Sequence, residues 1–211
     1  MITMKGLLMK DFYTVIKAKV WILIPVTVIL GIAAVFSNIN RSVVWIGLYL
    51  YPFYGALMTD TLIRTEKSSR WIIYVKSLPV KLVYTIISKY IVGSLIMLLI
   101  SVVTGAVSFM IQGFSIHIVY FLIMLFSVYM IITAINMPIA CGMKDRHANL
   151  LGTIIKFIIV SVFSNIAVDV VGVDPMQLYT APDIMVFFIP ALILFIISVP
   201  VSAWIYGRKE F

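Results

Sequence analysis

Apolar residues along this chain fall into long runs, without the short amphipathic or alternating patterns of a soluble protein. Six runs, at 20–38, 43–63, 90–111, 116–140, 150–168 and 184–206, each approach or exceed the roughly 20 residues that carry a helix across a bilayer. A soluble core would be cut into shorter two-faced pieces. The pattern therefore predicts an all-α membrane protein with six transmembrane helices in a single domain, 1–211, and polar connections that are short except at 64–89 and 169–183.

Ahead of the first run stands KGLLMKDFYTVIKAKV. At about 100° per residue, Leu8, Met9, Phe12, Val15, Ile16 and Val20 share one broad arc, with Lys10, Asp11, Thr14 and Lys17 opposite; Leu7 and Lys19 break the pattern. This predicts an interfacial amphipathic helix over 4–19, apolar arc in the membrane and charges toward water. Such a charged stretch before a run of full spanning length is unlike a cleavable signal peptide and reads as mature protein.

Composition agrees, with 63% hydrophobic and 11% charged residues against roughly 25% charged in soluble domains. The net charge of +8 is unevenly placed. With six spans, fourteen Lys and Arg fall on one side, in the N-terminal helix, in 64–89, at Lys144 and Arg146, and at Arg208 and Lys209, whereas the other side has only Arg41. The excess of basic residues in cytoplasmic loops then puts both termini and the 64–89 segment in the cytoplasm. Without a soluble basic domain the charge points to lipid headgroups and not to nucleic acid. On the outer side, Asp174 ahead of Pro175 predicts a capped turn in a small extracellular cap over 169–183.

The insert TEKSSRWIIYVKSLPVKLVYTIISKY is more organised than a tether. Trp71, Tyr74, Val75 and Leu78 recur at three- and four-residue spacing, and Ser77 and Pro79 then break the helix and start another. Lys81 and Lys89 are expected on the run into the third span, snorkelling to headgroups. Two readings stay open on these residues: an interfacial hairpin anchored by Trp71 and Tyr74, or a rigid element presented to a cytoplasmic protein.

The opening Met4-Lys5-Gly6-Leu7-Leu8-Met9-Lys10-Asp11-Phe12-Tyr13, with the pattern Glu66-Lys67-Ser68, Ser77-Leu78-Pro79-Val80 and Lys89-Tyr90, resembles the short six-span, type V-like ABC-2 permease subunits of bacterial ABC exporters. The resemblance covers nearly the whole chain. It departs at Lys81-Leu82-Val83-Tyr84, where relatives often have a more polar run. It implies a coupling helix between spans two and three that docks on a separate ABC ATPase through Glu66, Lys67, Ser68, Ser69, Arg70 and Trp71, with Ser77, Leu78, Pro79 and Val80 as the elbow. It further implies two ATPase copies that bind ATP and Mg, a second permease chain, identical or paralogous, and a place in the bacterial cytoplasmic membrane. The expected activity is outward movement of a hydrophobic or amphipathic substrate, with peptide toxins and antibiotics among the cargo classes. A six-span capture subunit of an uptake system, or a peptide-sequestering immunity protein, is the alternative.

The chain has no Gly-x-x-x-x-Gly-Lys-Ser/Thr phosphate loop, so ATP hydrolysis is expected in the partner and no cofactor in this chain. His-Glu-x-x-His, Gly-x-Ser-x-Gly and paired-carboxylate motifs are also missing, which argues against an enzyme. One cysteine and two histidines offer no metal set. Polar groups inside spans are costly and usually face the bundle interior. They leave Ser161, Ser164, Asn165 and Asp169, within an arc of roughly 140° in the fifth span, and Asn136 in the fourth, as residues of a substrate path or of helix packing.

Overall fold

In a computed structural model of the protein, the described residues are 4–17, 59, 61–66, 82–112, 116–143, 150–155, 158–159 and 181–208. They are helical except at a bend at Met143, with no strand among them. Four helices have defined bounds: α1 (Met4–Lys17), α2 (Leu82–Gln112), α3 (Ile116–Gly142) and α4 (Ala181–Arg208). Within the last three, Val83–Val103, Ile118–Gly142 and Met185–Arg208 are long and apolar enough to cross a membrane. They overlap the third, fourth and sixth expected spans.

The boundaries differ from the hydropathy reading at three places. α2 begins at Leu82, eight residues before the apolar run, and so takes Ser88 and Lys89 into its first turns. The helix at 61–66 runs through Glu66, past the expected end of the second span at 63. α4 starts at Ala181, inside the segment expected as an outer cap. At the first two places the polar residues that lower local hydropathy, Ser88, Lys89 and Glu66, find partners inside the protein.

α3 and α4 form the most extensively packed pair, and α2 lies against both. Ile86 and Tyr90 of α2, Met137 and Cys141 of α3, and Ala203 and Tyr206 of α4 meet with Ile63 in one buried cluster. Further along, Met97, Tyr129, Met130 and Ala191 form a second. Gly93 sets the spacing of the first layer: a Cβ there would collide with the Thr59 side chain and lie 2.8 Å from the Tyr129 hydroxyl. Only a residue without a side chain lets α2 approach this closely.

α1 corrects the amphipathic expectation. Leu7, Asp11 and Val15, four residues apart, are its buried face, while Met9, Phe12 and Tyr13 are exposed. Val15 packs with Leu62 and Val92, flanked by Leu8 and Ile96. The helix therefore turns the residue read as its charged side, Asp11, against α2. Leu7, which broke the sequence pattern, belongs to the face that docks.

Candidate functional site

Two cations and two carboxylates from three segments meet inside the protein at this end of the helices. The Lys89 ammonium lies 2.7 Å from Glu66 Oε1 and 3.6 Å from Asp11 Oδ1. Lys10 pairs with the same Glu66 oxygen and lies 3.1 Å from Asp11 Oδ1. Two hydroxyls complete the set: Ser88 donates to Asp11 Oδ2 at 2.5 Å, and Tyr206 of α4 donates to Glu66 Oε2 at 3.5 Å. The side chains of Lys89, Asp11 and Glu66 are 0%, 1% and 5% exposed, whereas Lys10, at 25%, forms the rim.

Burying one of these charges alone would cost several kcal/mol, roughly, and the attraction of a well-placed partner is what offsets it. Here the four formal charges sum to zero, and each cation bridges both carboxylates. Local structure makes the arrangement reachable. The early start of α2 gives Lys89 a helical position facing α1, with Ser88 beside it. On α1, Leu7 and Val15 supply apolar packing one turn either side of Asp11. The cluster thus ties α1, the helix at 61–66, α2 and the end of α4 into one joint, and a displacement of Glu66 must move or break contacts with all of them.

A second polar link lies one residue further along α2. The Tyr90 hydroxyl contacts Ser198 and lies 3.0 Å from Ser202, both on α4, and Ser198 donates to the Ala134 carbonyl of α3 at 2.8 Å. Because the Ser198 hydrogen is used on that carbonyl, Tyr90 donates to Ser198 and Ser202 donates to Tyr90. Tyr90 also meets Phe195 edge to face, with ring centroids 5.1 Å apart. Beside this link lies an apolar groove of about 350 Å³, lined by Tyr90, Ile91 and Leu95 of α2, Phe126 of α3, and Phe195 and Val199 of α4. At the end of α4, Arg208 stacks on Trp204 at 3.9 Å from the ring centre.

Two of the candidate residues lie in described parts. Glu66, expected in the docking segment, has its carboxylate turned toward Lys10 and Lys89. Asn136 is 2% exposed in the interior of α3. Lys67, Ser68, Ser69, Arg70, Trp71, Ser77, Leu78, Pro79, Val80, Ser161, Ser164, Asn165 and Asp169 lie outside the described residues. Sequence reasoning missed Asp11, Ser88, Lys89 and Tyr206 as a unit. Lys89 was read as snorkelling, yet it is fully buried, because α2 is already helical there and two carboxylates await it. The signal that would have found it is its place against the apolar run: an ionisable residue adjoining a span implies a partner of opposite charge.

No curated protein and no solved structure matches the chain. A family model described as ABC-2 family transporter protein matches residues 6–207, nearly the whole length, and the chain belongs to that family.

Proposed function

We propose that this permease subunit moves a hydrophobic or amphipathic substrate outward, driven by a separate ABC ATPase that docks on the segment after Glu66. As a member of the ABC-2 family the chain is a multi-pass membrane component that works with an ABC ATPase subunit. In the proposed arrangement six spans leave both termini and residues 64–89 in the cytoplasm of a bacterial cell. Two such chains, identical or paralogous, stand over two ATPase copies carrying ATP and Mg. Lys67, Arg70 and Trp71 form the docking surface, with Ser77 to Val80 as its elbow. α1 lies along the membrane surface with Met9, Phe12 and Tyr13 toward lipid.

The observation that carries this reading is the burial of Glu66. The residue that opens the docking segment is held by α1, α2 and α4 together. A push on the segment therefore reaches three helices at once, and Glu66 transmits force instead of touching the partner. Its inward position suits a transporter whose two states bind substrate unequally, because a charge-matched joint has discrete arrangements instead of a continuum.

The test separates docking from transmission. Lys67→Glu with Arg70→Glu is expected to abolish co-purification with the ATPase. Glu66→Gln is expected to leave the ATPase bound while reducing the stimulation of ATP turnover by substrate several-fold. Unchanged co-purification and turnover in the Lys67/Arg70 variant would remove the docking assignment and favour a capture or immunity protein.

A further inference from the structure

The apolar groove beside Tyr90 runs along two helices that point in opposite directions, since Tyr90 of α2 packs with Tyr206 of α4 and Met97 packs with Ala191. On α2 its wall is Ile87, Ile91, Leu95 and Leu98, one stripe at helical spacing. Ile91, Leu95 and Leu98 are 38%, 57% and 54% exposed, so the groove lies open on the surface of the chain. From Ile87 to Leu98 it is about 16 Å long.

Its lining offers hydrocarbon. The Tyr90 hydroxyl is occupied by Ser198 and Ser202, and Ser94 pairs with Tyr129. The opposite wall, Phe195 and Val199, is fixed in shape by the edge-to-face contact of Phe195 with Tyr90. Water finds no polar partners in such a place, and a preformed apolar recess takes an apolar occupant.

Size and position say which. An apolar cavity of about 150 Å³ takes a benzene ring, so the 350 Å³ of this groove has room for roughly a dozen carbons. A helix about 10 Å across needs on the order of 1,200 Å³ over a length of about 16 Å, so neither a helix of a second copy nor a helical peptide enters. One turn beyond Ile87 the same stripe continues in Tyr84, and at the matching end of α4 Trp204 carries Arg208 on its ring; Tyr84 and Trp204 are both exposed. Aromatic and basic residues placed in this way mark the headgroup level. The groove thus starts just inside that level and extends through about half of the roughly 30 Å hydrocarbon core, the depth of one leaflet. We infer that it is a binding site for one acyl chain of a bilayer phospholipid, from the leaflet on the side of the charge cluster. Walls on two helices and Phe126 of α3 give that chain more contacts than it has among other lipids. The bound chain then belongs to the joint between α2 and α4, filling the space beside the Tyr90 link.

Retention of lipid through detergent exchange tests this. The purified chain is mixed with dioleoylphosphatidylcholine, whose zero net charge keeps the basic residues from holding it, and native mass spectrometry counts the lipids on each chain. One lipid per chain is expected to survive in the wild type and in Ile193→Trp, on the exposed side of α4 away from the groove. Retention should fall at least tenfold in Ile91→Trp, which fills the groove. The same loss is expected in Val199→Trp, which fills it from the other wall and decides the matter if Ile91→Trp fails to fold. Equal retention in all variants, equal loss in Ile193→Trp, or no lipid on the wild type overturns the assignment. So does a disulfide between two chains carrying Leu98→Cys and Cys141→Ala, which would seat a second copy at the groove.

Discussion

α3 and α4 have the same mean hydropathy over their spanning windows, 2.5, and nearly the same length, yet 59% of the α3 window and only 17% of the α4 window is buried. Hydropathy therefore says that each crosses the membrane and nothing about what surrounds it. Their polar residues do say. On α4 the polar groups Ser198, Ser202 and Tyr206 succeed one another every four residues, with Ala191 and Phe195 continuing the same line, and this line is the contact with α2 and α3. Val186, Ile193, Ile196 and Ile197, away from it, are exposed. On α3 the Ala134 carbonyl meets α4, whereas the Tyr129 hydroxyl meets Gly93 of α2 and Asn136 meets Gly152 of the helix at 150–155. A soluble helix shows its apolar face to its neighbours; here the polar face marks them, because lipid is as apolar as leucine and offers no competition for hydroxyls.

If α4 is held along one line, releasing the end of that line should free it from α3 first. Lys89→Met leaves Asp11 and Glu66 with Lys10 alone, an uncompensated buried charge that is expected to cost about 3–5 kcal/mol. Tyr206 then loses its fixed acceptor. Cys141, the chain's one cysteine, is buried against Ala203 and Tyr206 at that point and serves as a native probe. Its labelling by a maleimide should accelerate at least tenfold in Lys89→Met and stay near the wild-type rate in Lys89→Arg. Equal protection in both variants would show that α4 is held elsewhere.

The α3 side is sharpened at Gly93. Alanine there forces a methyl onto Thr59 and the Tyr129 hydroxyl, and such overpacking costs typically about 1–3 kcal/mol. Thermal unfolding in detergent measures the loss. Cys141 labelling in the folded state should barely change, because Gly93 meets Tyr129, about 18 Å along α3 from Cys141. Accelerated labelling would mean that the two ends of α3 are one packing unit.

These particulars show where the sequence was legible and where it was not. The long apolar runs gave α2, α3 and α4 to within a few residues at most ends, since spanning length is a local property. The inward face of α1 was illegible because it is decided by Ser88, 77 residues further along the chain, and by Lys89 beside it. A helical wheel ranks Asp11 by its hydropathy alone and sends it to water. The same blindness sends Lys89 to the headgroups, because its charge looks exposed until its counter-charges are located. Asn136 was legible as an interior polar residue, because an amide in hydrocarbon needs a reason, although its neighbour Gly152 became apparent only in three dimensions.

The smallest effect is also the sharpest on α4, because it compares neighbouring residues on one helix. Ser198→Ala removes the bond to the Ala134 carbonyl and the acceptor for Tyr90, and bonds between membrane helices average somewhat under about 1 kcal/mol. Ile197, one residue earlier and 54% exposed, touches lipid if no second copy of the chain covers it. Ile197→Ala is then expected to change the unfolding free energy in detergent by less than about 0.5 kcal/mol. Should Ile197→Ala cost more than Ser198→Ala, and do so only at protein concentrations where the chain self-associates, the outward face of α4 is the surface that meets a second copy. The contrast between α3 and α4 would then reflect a partner yet to be placed and not a helix facing lipid.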